Sequence, residues 1–592
     1  MMIKAIEKTD PRVGGDEERI DKNSMEDYIK EYTRWQEQPL PEELAEELRQ
    51  IRENEEEIYD RFCRTIAFGT SGLRGKMGAG TNRMNTVILR KTTRAISRYL
   101  TERYETPVMV VGFDTRRHSE EYARTTAKTF AENGVSVYLA SEPIPVPVIS
   151  FAVRHLGING GVMITASHNT KEYNGYKVYD HYGNQIDDKK ALLMERYMER
   201  EETFSPNDTQ DLTDKEKAGT ISFLGDDVKA AYLQALRENT PWWDSPEHCR
   251  EALGTLRVCY TPLNGTGINY VLPALEQLGI RHLQTVRTQE APDGTFPTCP
   301  SPNPEYPESF EEALKTCRDT GPEEKPDLIL ATDPDSDRLG VMVRCGQTYR
   351  HLSGNQTGEL LFDYVCRVHG AGIRGRNLCG REVMIKSIVS SPLTEDIAGA
   401  CGVQVKNVFT GFKNIAAEME KLLRTDGEKR FLFGFEESLG YLYADYTRDK
   451  DGIMAAQLVC LAAAQLKAEG KTLTDRLEEI YQRYGYLASR TFSVYYRKEN
   501  ERRKIQEQMQ KLFSDGLKRD GFPVKKELCY RTPPLYCADL TDGTRIIVRP
   551  SGTEPKLKTY IFSRGRSAQE AETAADSCCS RMQKKWKEEG IL

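Results

Sequence analysis

Three carboxylates alternate in the stretch DLILATDPDSDRLG, where Asp333, Asp335 and Asp337 follow directly on an apolar run. Side chains at that spacing can be aimed at one point, and an all-oxygen donor set suits a hard divalent cation. A calcium EF-hand does not fit, because counting from Asp333 its sixth place holds Arg338 instead of Gly and its twelfth holds Arg344 instead of Glu. A plain solvated turn fits less well than a metal site, since three like charges at the end of a buried strand repel one another unless a cation offsets them. Mg²⁺ is favoured over Ca²⁺ if phosphate is the ligand. Arg338, immediately after, can pair with an aspartate or contact that phosphate.

A second stretch, GVMITASHNTKEYNGYK, runs from an apolar strand into Ser167, His168 and Asn169, with Lys177 close behind. Ordinary turn chemistry explains Ser, Asn and Gly there. A serine-hydrolase elbow does not, for ASHNT lacks the glycines of GxSxG. With a divalent cation near, Ser167 can instead carry a phosphoryl group whose charge of roughly −1.5 to −2 is offset by metal and by basic side chains. His168 is a catalytic candidate by adjacency, although neighbours in an extended chain point apart, which makes it a poor base for Ser167.

Three further stretches carry weaker signals. In IVRPSGTEPKLKTY, Arg549, Ser551, Gly552 and Thr553, with Lys556 and Lys558, combine a planar cation, hydroxyls and a Gly that exposes backbone N–H groups, the makings of an anion cradle. In GFEESLGY an extended backbone puts Glu436 and Ser438 on one side and Glu437 on the other, suited to vicinal sugar hydroxyls, although the same residues equally suit a helix N-terminus. In FGTSGLRG, Arg74 is a candidate anion contact.

These loops need a frame. At 592 residues the chain is long enough for several domains and the clefts between them. Charged residues make up 29%, the net charge is −7, and no apolar run is long enough to span a bilayer. A general affinity for nucleic acid or anionic membrane is therefore not expected, and cations for an anionic ligand must be gathered locally. No apolar signal core opens the sequence, so a cytoplasmic location is the expectation. The 14 cysteines form no CxxC pair and read as reduced core residues.

Residues 25–66 show Leu44, Leu48, Ile51, Ile58 and Phe62 at helical spacing, an amphipathic extension laid on the first domain. A pattern of strand, helix, short strand and a further strand ending in a polar loop then recurs three times: VMVVGFDT to ASHN, LRVCYTPLNGTG to DPDSD, and EVMIKSIVSSP to FEES. The fold class expected is α/β: three related domains with mixed, mostly parallel sheets, plus a C-terminal α+β domain, around a central cleft. Expected limits are 1–225 for the helical extension and Ser167 domain, 226–347 for the aspartate domain, 348–487 for the FEES domain and 488–592 for the last. Ligands of open α/β sheets bind at strand carboxyl ends, so the three polar loops are placed to share one cleft.

TASHNTKEYNGYK, DPDSDR, GFEES and RPSGTEPK, in this order, resemble the signatures of the α-D-phosphohexomutase superfamily. The length and the N-terminal extension resemble its phosphoglucomutase/phosphopentomutase branch. The resemblance implies four domains around one cleft, a single Mg²⁺, and a phosphoserine that exchanges its phosphoryl group with a sugar phosphate. By position, Ser167 matches the phosphorylated serine and joins Asp333, Asp335 and Asp337 around the metal. Arg74 and Lys177 match the basic residues where proton transfer is assigned. Glu436 and Ser438 match the sugar readers, Lys413 matches a cationic substrate contact, and Arg549, Ser551, Gly552 and Thr553 match the distal phosphate clamp; Arg338 and Lys558 are counted with these as substrate-binding candidates. No His follows Ser438 as in bacterial phosphomannomutase/phosphoglucomutases, which leaves the second proton-transfer residue open. Interconversion of glucose 1- and 6-phosphate, primed by glucose 1,6-bisphosphate, is the implied activity of a monomer or weak dimer. A mannose or pentose mutase, a Mg²⁺-dependent sugar phosphatase and an inactive sugar-phosphate-binding regulator are the alternatives.

Overall fold

The structure is a computed structural model that describes residues 20–69, 72–205, 219–318, 320–321, 324–370, 378–425, 427–495, 499–531, 533–550 and 556–589. The first sheet holds β1 (Gly72–Lys76), β2 (Val108–Phe113), β3 (Ser136–Leu139), β4 (Gly160–Ile164), β5 (Tyr173–Asp180) and β6 (Ile221–Phe223), in the order β1-β5-β4-β2-β3-β6. The second holds β7 (Arg257–Thr261), β8 (His282–Thr285), β9 (Leu328–Thr332), β10 (Leu339–Cys345) and β11 (Thr348–Leu352), in the order β11-β10-β9-β7-β8. The third holds β12 (Glu382–Ser387), β13 (Gln404–Val408), β14 (Arg430–Glu436) and β15 (Gly440–Tyr443), in the order β13-β12-β14-β15.

One plan underlies all three sheets. A leading strand (β2, β7 or β12) pairs in parallel with the next two strands, and the third of the set pairs antiparallel with a fourth. Parallel neighbours need crossovers, which helices such as Ser119–Glu132, Ile268–Leu278 and Leu393–Cys401 supply. β4 and β9 are buried at every position, which explains their unbroken apolar runs. The loops after β4, β9 and β14 therefore occupy equivalent places in the three units, as the sequence repeat requires.

The last unit is α+β. β16 (Tyr486–Tyr495), β17 (Val524–Arg531), β18 (Pro534–Leu540), β19 (Arg545–Pro550) and β20 (Lys556–Gly565) form an antiparallel sheet in the order β16-β20-β19-β18-β17. Its own core includes Tyr536, Ile546, Ile561 and Trp586. Sheet membership moves two of the expected limits. β11 pairs with β10, so a limit at 347 cuts the tight turn of a hairpin, whose Gly346 and Gln347 read as a linker only in sequence. A limit at 487 falls inside β16, which pairs along its length with β20.

The N-terminal extension is three helices, Ile20–Gln36, Glu42–Gln50 and Glu55–Phe62, and Leu44, Leu48, Ile51, Ile58 and Phe62 are all buried. Cysteines depart from the core expectation at Cys63, Cys379 and Cys529, which are exposed. The helix Gly452–Ala468 is apolar all round and correspondingly buried, packed by helices of the second and third units. Among the described residues, no helix is long and apolar enough to cross a membrane.

One buried carboxyl in this frame has a measurable cost. Glu359 accepts hydrogen bonds from Ser391 Oγ and Tyr481, and burial pushes its carboxyl up to about 7. A carboxyl raised on folding binds its proton more tightly in the native state, so its contribution is full below the ordinary range and is lost as pH rises through 7. A rise of this size corresponds to a few kcal/mol, on the order of 3. Glu359→Gln is expected to raise the melting temperature at about pH 8 and to leave it nearly unchanged at about pH 5. Equal shifts at both pH values in thermal melts would contradict a neutral buried Glu359.

Candidate active site

Ser167 lies three residues beyond Ile164, the last residue of β4, and its backbone is in the left-handed region at φ 52°. The turn is tied locally by Ser167 N–H, which donates to Thr165 Oγ1 at 2.8 Å. Ser167 is 3% exposed, and its Oγ donates to Asp333 Oδ2 at 2.8 Å. His168 Nδ1 stands 3.2 Å from the same Oγ. The expectation that neighbouring side chains diverge fails here because it assumes extended backbone, which the positive φ abolishes. Burial, with Arg338 and Arg74 near, holds the His168 imidazole well below its ordinary range, so the ring is neutral.

Asp333, Asp335 and Asp337 are fully buried, with one carboxylate oxygen from each lying within 4.8 Å of the others. Lys177 on β5 reaches Asp335 Oδ2 at 2.9 Å and Asp337 Oδ2 at 3.3 Å. Burial works against both charges of the Lys177–Asp335 pair, yet their attraction prevails: the lysine is raised and the Asp335 carboxyl is lowered. Asp333 goes the other way, pushed well above the ordinary carboxylate range by burial and by Asp335 and Asp337. Arg338 Nε lies 3.9 Å from Asp333 Oδ2 and from Asp337 Oδ1.

Lys177 reaches only one oxygen of Asp335 and one of Asp337. Asp335 Oδ1 and Asp337 Oδ1 are buried without a hydrogen-bond partner. Unsatisfied buried carboxylate oxygens are costly, and a hard cation between them is the natural remedy. The donor set and its orphaned oxygens thus fit a divalent metal such as Mg²⁺, with Ser167 Oγ beside it.

Sequence reasoning missed Lys450. Its Nζ is 2.8 Å from Asp337 Oδ2, and it is raised because Asp337 and Asp449 outweigh its burial. The loop that carries it, TRDKDG, reaches into the first and second units. Thr447 Oγ1 donates to Pro147 O at 3.2 Å, and Asp449 accepts from Tyr179 at 2.9 Å and from Gln185 at 2.6 Å. Asp451 caps the buried helix through the N–H groups of Ile453 and Met454 and accepts from Tyr232 at 2.7 Å. Gly452 permits the closest approach: a Cβ there would lie 2.8 Å from the backbone oxygens of Ser336 and Arg338. A dense run of charge immediately before a mostly apolar helix was the available signal.

The remaining candidates divide. Glu436 ends β14, accepts from Gly411 N–H at 2.8 Å through Oε1, and runs beside the Lys450 side chain past Gly440. Residues 437–439 form a turn with Leu439 at φ 65°, so the extended alternation expected of EES stops at Glu436. Ser438 is half-buried in that turn. Glu437 is held by Ser390, and burial with Glu436 beside it raises its carboxyl to about 7, against the pull of Arg549 and Lys558. Arg549 and Lys558 face each other on β19 and β20. Ser551, Gly552 and Thr553 lie outside the described residues. Arg74 is exposed on β1 and reaches Asn169 of the serine loop at 3.2 Å. Lys413 is ion-paired with Asp188 of the first unit.

A buried hydroxyl beside a carboxylate trio fit for a metal, and two cations paired on neighbouring strands of the last sheet, are groups that can serve phosphoryl transfer. Comparison with known proteins agrees. Four consecutive models describe phosphoglucomutase/phosphomannomutase domains: the α/β/α domains I, II and III match residues 65–204, 230–346 and 353–484, and the C-terminal domain matches 497–578. A phosphoglucomutase of Staphylococcus aureus (strain USA300) is 34% identical over 530 residues, covering 86% of this chain and 92% of its own. Among solved structures, parafusin of Paramecium in its open form matches with a TM-score of 0.66 at 18% identity, over 89% of this chain and 95% of that one. A phosphoglucomutase/phosphomannomutase family protein of Burkholderia thailandensis matches with a TM-score of 0.65 at 17% identity, over 88% and 97%. Those two likenesses concern the fold, while the domain models and the staphylococcal relative carry the family: this chain belongs to the phosphoglucomutase/phosphomannomutase family and is an enzyme of the isomerase class.

Proposed function

We propose that the enzyme interconverts glucose 1-phosphate and glucose 6-phosphate through phospho-Ser167 and a glucose 1,6-bisphosphate intermediate. The observation that carries this reading is Ser167 Oγ at 2.8 Å from Asp333, inside a buried trio of carboxylates. In the first half-reaction the free hydroxyl of the sugar monophosphate attacks phosphorus, the phosphorus–Oγ bond of phospho-Ser167 breaks, and the proton given up by the hydroxyl is balanced by one taken up on the departing Oγ. The bisphosphate then turns over in the cleft, and its other phosphoryl group returns to Ser167 Oγ. On that return the Oγ proton has two acceptors at hand, Asp333 Oδ2 at 2.8 Å and neutral His168 Nδ1 at 3.2 Å.

Phosphoryl transfer asks for positioning and charge neutralisation more than for covalent help. Asp333, Asp335 and Asp337 with Ser167 Oγ would hold Mg²⁺, which when bound polarises the phosphoryl oxygens as a Lewis acid. Lys177 and Lys450 keep their protons under the influence of the aspartates, so both serve as cations and as proton donors to a departing oxygen. Lys177 in this setting is not the lowered-pKa base that burial alone would make it. Lys450 fills the second proton-transfer role that no His after Ser438 can take. Glu436, with Oε1 fixed by Gly411, has Oε2 available for sugar hydroxyls, and Arg549 and Lys558 hold the non-reacting phosphate.

Glucose is preferred on likeness to the staphylococcal phosphoglucomutase. Glucose and mannose share the equatorial 3- and 4-hydroxyls that Glu436 and Ser438 would read, so these residues do not separate the epimers. Rates with glucose, mannose, N-acetylglucosamine, ribose and deoxyribose 1-phosphates, primed with glucose 1,6-bisphosphate, are expected to rank glucose first and mannose below it. A pentose at the head of that ranking would overturn the substrate and keep the mechanism. Steady release of free phosphate would favour the phosphatase reading instead.

Ser167→Ala is expected to fold normally and to lose at least about a thousandfold in mutase rate, with no uptake of label from bisphosphate. Turnover close to the parent's would sink the phosphoserine assignment. Asp335→Asn removes one anionic ligand and the Lys177 ion-pair partner; we expect weaker Mg²⁺ binding by calorimetry and a fall in kcat larger than any loss of stability. Activity that persists through exhaustive chelation would contradict the metal.

A further inference from the structure

We infer that Arg116 is the positioning residue of the serine loop, and that its guanidinium fork, rather than its charge alone, keeps Ser167 Oγ aimed at the aspartates. The inference rests on the proposed role of Ser167. Arg116 follows β2 in the stretch GFDTRRHS, which reads in sequence as an ordinary charged loop. Its side chain is nonetheless fully enclosed, and it meets Asp114 with Nε 3.3 Å from Oδ2. Asp114 is itself fixed, accepting from Arg116 N–H at 2.9 Å and from Ser119 Oγ at 2.7 Å.

The far end of the guanidinium gathers the carbonyls of the loop between β4 and β5. Nη2 donates to Ser167 O at 2.6 Å and to Asn169 O, while Nη1 donates to Thr170 O at 2.9 Å and to Tyr173 O at 3.2 Å. Four backbone acceptors of one short loop thus converge on two nitrogens. Buried carbonyls need partners, and strand pairing cannot supply them in a loop that leaves the sheet at Ile164 and rejoins it at Tyr173. A planar fork with five donors in fixed directions can serve several carbonyls at once, whereas a lysine ammonium offers three donors and no plane.

The second unit closes the other face. The ring of Phe296 is fully buried with its centroid 5.0 Å from the guanidinium carbon, and Gly294 pairs with Arg116 as an isolated bridge. A Cβ at Gly294 would lie 2.3 Å from Arg117 N and 2.6 Å from Arg116 C, so the contact depends on glycine. Arg116 is therefore pinned by the first unit through Asp114 and pressed by the second through Phe296, and it holds Ser167 in a left-handed conformation that a serine seldom adopts unaided. As the phosphoryl group comes and goes, the charge on Oγ changes, and this fixed fork keeps the backbone beneath it in place.

The test uses full-length Arg116→Lys and Arg116→Ala beside Ser167→Ala. A displaced reacting group can cost about a hundredfold, so both Arg116 variants are expected to lose about that factor in kcat, with KM for glucose 1-phosphate within about threefold of the parent. Labelling of Ser167 by glucose 1,6-bisphosphate should slow by the same factor. Millimolar guanidinium, well below denaturing concentration, should restore about tenfold of the Arg116→Ala rate, and ammonium should not. If Arg116→Ala does not fold, Arg116→Lys decides the matter: a rate within about threefold of the parent overturns the inference. A loss confined to KM, or rescue of Arg116→Ala by ammonium as well as by guanidinium, overturns it too. An active Ser167→Ala would instead overturn the serine assignment on which the inference rests.

Discussion

Three aspartates at zero exposure cannot stay charged side by side without cations, and the assembly of this protein follows from how that demand is met. The cations are drawn from different units. Lys177 comes from β5 of the first, Lys450 from the loop before the buried helix of the third, and Arg338 from the aspartate loop itself. Two lysines secure Asp335 and Asp337, while Asp333, its carboxyl raised by burial and by the other two carboxylates, is turned towards Ser167. The same imbalance makes the trio receptive to a divalent ion and keeps three units in register around it.

Repetition of one sheet plan makes this economical in sequence. The third strand of each set ends in a polar loop, so the serine, the aspartates and the Glu436 turn arrive at the cleft by the same route. Backbone contacts between units then refine the fit. Val146 N–H donates to Asp335 O at 2.9 Å, and Leu339 N–H donates to Leu439 O at 3.3 Å, which ties the aspartate loop to the units on either side. At Gly354 a Cβ would fall 1.9 Å from Glu437 O, so the first turn of the helix Gly354–Gly370 can lie directly against the Glu436 turn. The fourth unit has a separate core and pairs Arg549 with Lys558 on neighbouring strands.

Much of this was legible because it is local. Apolar runs of β4 and β9, the helices that cross between strands, and the carboxylate spacing of DPDSD all announce themselves within a dozen residues. The failures were of two kinds. His168 and Glu437 were misread because the sign of φ at Ser167 and the turn after Glu436 redirect side chains that an extended chain would separate. Lys450 and Arg116 were passed over because their partners, Asp337 in one case and the carbonyls of residues 167–173 in the other, are distant in sequence; each looks like an exposed loop cation until the units assemble. The limit at 347 falls in a hairpin turn for a related reason, since such a turn and a domain linker share the same Gly and polar residues.

The central claim is that the orphaned oxygens of the aspartate trio form a metal site shared with Ser167. Crystals grown with Mn²⁺ in place of Mg²⁺, with anomalous diffraction recorded at the manganese edge, test it most directly. The account requires one strong anomalous peak at about 2.0–2.4 Å from oxygens of Asp333, Asp335 and Asp337, with Ser167 Oγ or its phosphoryl oxygen among the ligands. A crystal saturated with Mn²⁺ in which the peak lies elsewhere, while Lys177 and Lys450 alone neutralise the trio, would contradict it.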